Sequence, residues 1–240
     1  MIYIPKLGVN IDHVATLREA RLLSYPDPVE AAKICEEAGC NSIVCHLRED
    51  RRHIKDDDVR RLRKTVRKRF NLEMSIAKDI VDIACKIKPD QATLVPEKRR
   101  ELTTEGGLDV VRYKEEILEV IKRFNEKRID TSLFINPANS QIDASCDANA
   151  KIIELHTGEY ANAKSASVRA KELERIIRAT EYALSLGLEV NAGHGLNYDN
   201  TREIARIKGI NELNIGHSII ARAVLVGMYV AVEEMLDLIR

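Results

Sequence analysis

Short β-branched, apolar runs alternate along the chain with longer stretches whose apolar positions recur three and four residues apart. The short runs predict eight strands: Leu7–Ile11, Ser42–Leu47, Asn71–Ile76, Gln91–Val95, Thr131–Ile135, Lys151–His156, Leu188–Ala192 and Glu212–Gly216. Most read as nearly continuous apolar segments, such as Ser42-Ile43-Val44-Cys45, as expected of strands covered on both faces. The longer stretches predict helices over Pro28–Ala38, Asp56–Lys68, Lys78–Lys88, Arg112–Glu126, Ala138–Asn149, Val168–Ser185, Asp199–Ile207 and Ile219–Ile239. Asp27-Pro28 supplies an N-cap followed by proline at the first helical position, and Gly39 closes that helix. Strand and helix alternate through all 240 residues with no linker or low-complexity segment. This predicts an α/β chain forming a single (β/α)8 TIM barrel, one domain over residues 1–240. The competing architecture is a doubly wound open sheet, which usually carries a glycine-rich dinucleotide turn after its first strand. Here that strand runs into Asn10-Ile11-Asp12-His13-Val14, with no such turn.

The barrel reading gives the polar residues a meaning. All six histidines, His13, His46, His53, His156, His194 and His217, fall at predicted strand ends or in the loops after them, and none within a predicted helix. Asn10, Asp12, Arg48, Glu97, Lys98, Glu154 and Asn191 share this rim. In a barrel these ends converge on one pocket, so groups distant in sequence meet in space. Glu73 stands out because a carboxylate inside an apolar strand is costly to bury unless paired or functional. It reads either as half of a buried ion pair or as a general acid/base.

Two regions suit anions. The eighth strand, Asn214-Ile215-Gly216-His217, runs directly into a helix whose N-terminus offers free N–H groups, and the seventh ends in Gly193-His194-Gly195. The loop Arg48-Glu49-Asp50-Arg51-Arg52-His53 is rich in cations, as a second phosphate site or a solvated charge run. The loop Pro96–Asp109 has the length of a lid, with Lys98, Arg99, Arg100, Thr103 and Thr104 as anion contacts and Gly106-Gly107 as a hinge. For metals, neither a His-x-His pair nor HExxH occurs; a site assembled from separate strand ends stays open.

Composition narrows the class. Thirty-eight basic groups balance 38 acidic ones, so no global field favours nucleic acid or an anionic membrane. No segment has the length of a transmembrane helix, and residues 1–10 lack the features of a signal peptide. Five cysteines, odd in number and without a CxxC pair, predict reduced thiols in a cytoplasmic protein.

At these same positions the chain resembles the pyridoxine 5'-phosphate synthases of deoxyxylulose-phosphate-dependent vitamin B6 biosynthesis. The matching blocks include Gly8-Val9-Asn10-Ile11-Asp12-His13, then Arg21, Tyr25-Pro26-Asp27-Pro28, and His46-Leu47-Arg48-Glu49-Asp50-Arg51-Arg52-His53. Asn71-Leu72-Glu73-Met74, Thr103-Thr104-Glu105-Gly106-Gly107, His156-Thr157-Gly158, Asn191-Ala192-Gly193-His194-Gly195 and Ile215-Gly216-His217 follow. The resemblance implies condensation of 3-amino-2-oxopropyl phosphate with 1-deoxy-D-xylulose 5-phosphate to pyridoxine 5'-phosphate, inorganic phosphate and water, with no cofactor and no metal. It implies His46 and Glu73 as proton acceptors and His194 as proton donor. Asn10, Arg21, Gly195, Gly216 and His217 would contact the aminooxopropyl phosphate, and Asp12, His13, Arg48, His53 and Thr103 the deoxyxylulose phosphate. It also implies a homo-oligomer, an octamer built from dimers. The rivals are an aldolase or isomerase acting on one sugar phosphate, and a catalytically silent phosphate-binding barrel.

Overall fold

The computed structural model describes residues 4–97 and 106–240. Eight parallel strands close into a barrel in chain order. They are β1 (Lys6–Asn10), β2 (Ser42–His46), β3 (Arg69–Met74), β4 (Gln91–Leu94), β5 (Asp130–Ile135), β6 (Ile152–His156), β7 (Glu189–Gly193) and β8 (Ile210–Ile215). Closure comes from β8 pairing with β1, in a register running from Lys6 opposite Glu212 to Val9 opposite Ile215. The helices are α1 (Asp12–Glu19), α2 (Pro28–Glu37), α3 (Asp56–Thr65), α4 (Lys78–Ile87), α5 (Lys114–Lys127) and α6 (Asn139–Asp147). α7 (Gly158–Ala161), α8 (Ala166–Ser185), α9 (Thr201–Ala205), α10 (His217–Val226) and α11 (Met228–Ile239) complete the set.

Each strand sends alternate side chains to opposite faces. The outward set is apolar and buried against the helices: Leu7 and Val9, Ile43 and Cys45, Phe70, Leu72 and Met74, Leu213 and Ile215. The inward set is mostly polar: Ser42, Asn71, Gln91, Ser132, Glu154 and Asn214 are all buried, with Val44 among them. Gln91 Nε2 donates to Thr93 Oγ1 at 3.1 Å, and Thr93 Oγ1 donates to Asn71 Oδ1 at 2.9 Å. The expected near-continuous apolar strands are therefore corrected to two-residue alternation, with one apolar face packed on helices and a polar barrel interior. Glu73 belongs to that polar face and does not interrupt an apolar one.

Local chemistry sets the helix boundaries. The Asp27 side chain accepts from Val29 N at 3.0 Å, with Pro28 opening α2. The single helix expected over residues 219–239 is broken at Gly227, where φ is +86°, into α10 and α11. The apolar spacing does not announce α1 or α7. α1 places His13 in a helical first turn, and His217 opens α10, so these two histidines do lie on helices. All five cysteines are free thiols. Among the described residues no helix is long and apolar enough to cross a membrane.

Candidate active site

The C-terminal strand ends surround a cavity of about 1210 Å³. An acid cluster lies deep in its mouth. Asn10, last in β1, donates from Nδ2 to Asp12 Oδ2 at 3.1 Å and to Glu73 Oε2 at 3.3 Å. Asp12 Oδ1 accepts from the His46 backbone N–H at 2.8 Å, tying the start of α1 to the end of β2. Burial pushes the Asp12 carboxyl up, against the opposing pull of His46. Burial, then the charges of Glu154 and Asp12, push Glu73 well above the ordinary carboxylate range. Burial likewise lifts Glu154 to about 8, partly offset by Asn214 Nδ2 donating to its Oε2 at 2.6 Å. Glu154 can therefore hold its proton near neutral pH and act as an acid as well as a base, and burial pushes Asp12 and Glu73 in the same direction.

Histidines line the surrounding walls. His46 Nε2 lies 2.8 Å from Glu97 Oε1, and Glu97 Oε2 accepts from Glu49 N at 2.8 Å. His53 is pushed down to about 4 by burial and then by the charges of His46 and Arg48. Its Nδ1 accepts from Ile54 N at 2.8 Å, which leaves the neutral ring's proton on Nε2. His13 and His217 meet edge to face with centroids 4.9 Å apart. His156 and His194 also lie 4.9 Å apart, and burial, then His194, push His156 down to about 4.

The loop after β7 is tightly shaped. His194 has φ +78°, a left-handed conformation unusual for a non-glycine residue. Thr157 holds it there: its backbone N–H donates to Gly193 O at 2.9 Å and its hydroxyl to His194 O at 2.6 Å. A Cβ on Gly193 would lie 2.2 Å from Glu154 Oε1, so only glycine lets this carboxyl sit against the strand. Ser218 Oγ, in the first turn of α10, donates to Leu196 O at 2.8 Å and joins the two anion-suited turns.

Asn10, Asp12, His13, His46, Arg48, His53, Glu73, His194, Gly195, Gly216 and His217 all line this one cavity. Arg21 does not: it is exposed on the turn after α1. Thr103 lies outside the described residues, as do Lys98, Arg99, Arg100 and Thr104. The cation run divides between the two readings offered for it. Arg51 pairs with Asp56 at 3.0 Å and Arg52 with Asp50 at 2.6 Å, so only Arg48 and His53 face the cavity. Gly107 does not read as a hinge: its N–H donates to Asn136 Oδ1 at 3.0 Å. A Cβ there would come within 2.4 Å of Asn136 N. Close packing on the end of β5, not freedom to swing, requires glycine at that position.

Glu97, Glu154 and His156 lie on the rim that the sequence predicts, but no motif gives them a role; their strand-end positions are the available clue. Arg175 of α8 also reaches the cavity, braced by its Nε donating to Pro137 O at 3.0 Å, and no motif marks it. Asp12, His46 and Glu73 each bring one polar atom within 4.8 Å of the others, close enough to surround a cation. Both Asp12 oxygens and Glu73 Oε2 also accept hydrogen bonds, from the His46 backbone N–H and from Asn10.

Known proteins with this architecture include a KGPDC from Streptococcus mutans, with a TM-score of 0.66 at 14% identity over 99% of this chain and 98% of that one. A phosphoribosyl anthranilate isomerase gives 0.58 at 13%, covering 98% and 97%. At such identities the likeness concerns the fold alone. Sequence relatives are much nearer. A pyridoxine 5'-phosphate synthase of Coxiella burnetii (strain Dugway 5J108-111) is 57% identical over 234 residues, 98% of each chain. That of Idiomarina loihiensis is 55% identical over 98% of this chain and 97% of its own. That of Thermodesulfovibrio yellowstonii is 53% identical over 98% and 96%. The profile of the family described as "Pyridoxal phosphate biosynthesis protein PdxJ" matches residues 7–240, and the chain belongs to that family.

Proposed function

We propose that the protein is a pyridoxine 5'-phosphate synthase, condensing 3-amino-2-oxopropyl phosphate with 1-deoxy-D-xylulose 5-phosphate in this cavity. The observation that carries the reading is one acid/base cluster flanked by two anion-suited regions. On one side stand Gly195 in the loop after β7 and Gly216 and His217 at the N-terminus of α10, and on the other Arg48 and His53. Two phosphorylated substrates would thus present their reactive ends to His46, Glu73 and His194.

The chemistry follows from the groups available. The amine of one substrate adds to the ketone of the other and loses water to form a Schiff base. Phosphate elimination, an aldol-type closure and loss of a second water then complete the aromatic ring. Each step moves a proton, and His46 and Glu73 take protons while His194 gives one to a departing oxygen. Asn10 and Asp12 hold the acid cluster in register. Asn10, Gly195, Gly216 and His217 contact the aminooxopropyl phosphate. Asp12, His13, Arg48 and His53 contact the deoxyxylulose phosphate, together with Thr103 by family likeness. We further assign the protein to the cytoplasm on its free thiols, residues 1–240 to one domain, and its assembly to a homo-octamer of dimers.

The test is a turnover assay with purified protein. Formation of pyridoxine 5'-phosphate only when both substrates are present supports the reading. Conversion of a single sugar phosphate would favour an aldolase or isomerase, and binding without turnover a silent phosphate-binding barrel.

A further inference from the structure

The pair formed by His46 and Glu97 has the geometry of a base and its orienting carboxylate. The ring nitrogen and Glu97 Oε1 are 2.8 Å apart, and the Glu97 side chain keeps only 4% of its surface accessible. Its other oxygen is also committed, accepting from Glu49 N, so the carboxylate has one orientation available. Glu97 thereby joins the end of β4 to the loop after β2 at the point where His46 leaves the sheet. Although burial works against its charge, the hydrogen bond and charge of His46, with Arg48 beyond, hold the Glu97 carboxyl below its usual range. It is therefore an ionised acceptor.

We propose that Glu97 is a positioning residue for His46: it fixes the proton on Nε2, leaves the basic lone pair on Nδ1, and stabilises the imidazolium formed when His46 takes a proton. A buried aspartate plays this part for the histidine base in the catalytic triad of serine proteases. Among the described residues, the other charged groups facing His46 are Asp12, Arg48, His53 and Glu73. Asp12 and Glu73 are pushed toward their neutral forms, and Arg48 and His53 contribute no anionic charge. Among the described residues, Glu97 is then the ionised carboxylate in direct contact with the ring. The inference rests on His46 being a proton acceptor in the reaction proposed above.

The experiment compares the parent protein, Glu97→Gln, Glu97→Ala and His46→Gln, each checked for native near-ultraviolet circular dichroism. His46 is followed by nuclear magnetic resonance in protein labelled at histidine ring carbon and nitrogen. Glu97→Gln keeps an acceptor but removes the charge, so the His46 titration midpoint is expected to fall by roughly one pH unit. kcat is expected to drop roughly tenfold or more with KM little changed, and the acid limb of its pH profile should move with the His46 midpoint. Formate should partly restore Glu97→Ala and not His46→Gln, a rescue that a merely structural role would not show. An unchanged His46 midpoint in Glu97→Gln overturns the proposal. Full activity in His46→Gln would instead overturn the role given to His46 itself.

Discussion

A carboxylic acid that keeps its proton near neutral pH can donate as well as accept; Glu154 is such a group in the barrel mouth, and Glu73 beside it is pushed in the same direction. Burial raises both, and the like charge of Glu154 makes Glu73 harder still to ionise. Burial acts in the opposite direction on His53 and His156, each pushed down to about 4. Glu154 is therefore a neutral acid in the same cavity as the neutral imidazoles of His53 and His156, while Glu97 carries charge. Phosphate would raise the histidines by favouring their cationic form. Glu73→Gln should lower kcat by ~10²–10⁴-fold while unfolding remains cooperative; a folded variant with near-parental turnover would remove Glu73 from the chemistry. Glu154 also makes a stability prediction. Its proton leaves at 4.5 in the unfolded chain but at about 8 in the folded one. Between those values the folded state binds more protons, so this group's contribution is present below 4.5 and lost as pH rises through about 8. Urea titrations at about pH 5 and about pH 8 should show Glu154→Gln gaining stability relative to the parent at the higher pH. A difference between the two proteins that does not vary with pH would contradict the raised carboxyl.

Whole elements are held in place by contacts remote from the reacting atoms. The loop carrying Arg48 and His53 is clamped by Arg18 of α1, whose two terminal nitrogens each lie 2.7 Å from an Asp58 oxygen. Arg18 also donates to His53 O at 3.0 Å, and Asp58 accepts from Lys55 N at 2.9 Å. The pair is largely buried, so removing one partner strands a charge. Asp58→Ala should cost about 3 kcal/mol in urea unfolding. It should also raise KM for the deoxyxylulose phosphate more than for the other substrate. Equal KM changes for both would show that the clamp does not serve that half of the site. On the opposite wall, the packing of Gly107 against the end of β5 fixes where the loop after β4 rejoins the barrel.

At the scale of the molecule, Arg21 and the apolar surface around it raise the question of assembly. Arg21 is exposed, and its neighbours Leu22 and Tyr25 are 81% and 68% exposed. Val224 and Leu225 form another apolar exposure, at 70% and 78%. Large exposed apolar side chains in such groups mark contact surfaces. Arg21 can serve as a substrate contact if a neighbouring copy places its own cavity against this turn. Arg21→Ala and Glu73→Gln chains, each impaired alone, should then regain activity when unfolded and reassembled together, because a mixed pair contains one intact site. Activity no greater than the sum of the separate variants would confine Arg21 to its own chain or to no role. Chelation supplies a second prediction at this scale. Turnover is expected to persist after exhaustive chelation, since the proton transfers proposed here use side chains alone. Loss of activity restored by added zinc or iron would overturn that expectation and put a metal ion among Asp12, His46 and Glu73.

Much of the fold is legible along the chain because barrel periodicity is a local property. Each strand and most helices announce themselves by apolar spacing, and Asp27-Pro28 marks a helix start by its own backbone chemistry. The short helices α1 and α7 and the break at Gly227 are less legible, because short helical turns carry too few periods to register. The convergence of His46, Glu73 and His194 follows from strand-end positions, since closure brings such ends together. Tertiary contacts decided what spacing does not encode. Asn10 joins Asp12 to Glu73, Glu97 faces His46, Arg175 enters from a distant helix, and Arg51 and Arg52 turn to other partners. The order and period of the elements were determined by sequence alone, because they depend on neighbours along the chain. Protonation, pairing and access to the cavity depend on neighbours in space, and only barrel closure supplied them.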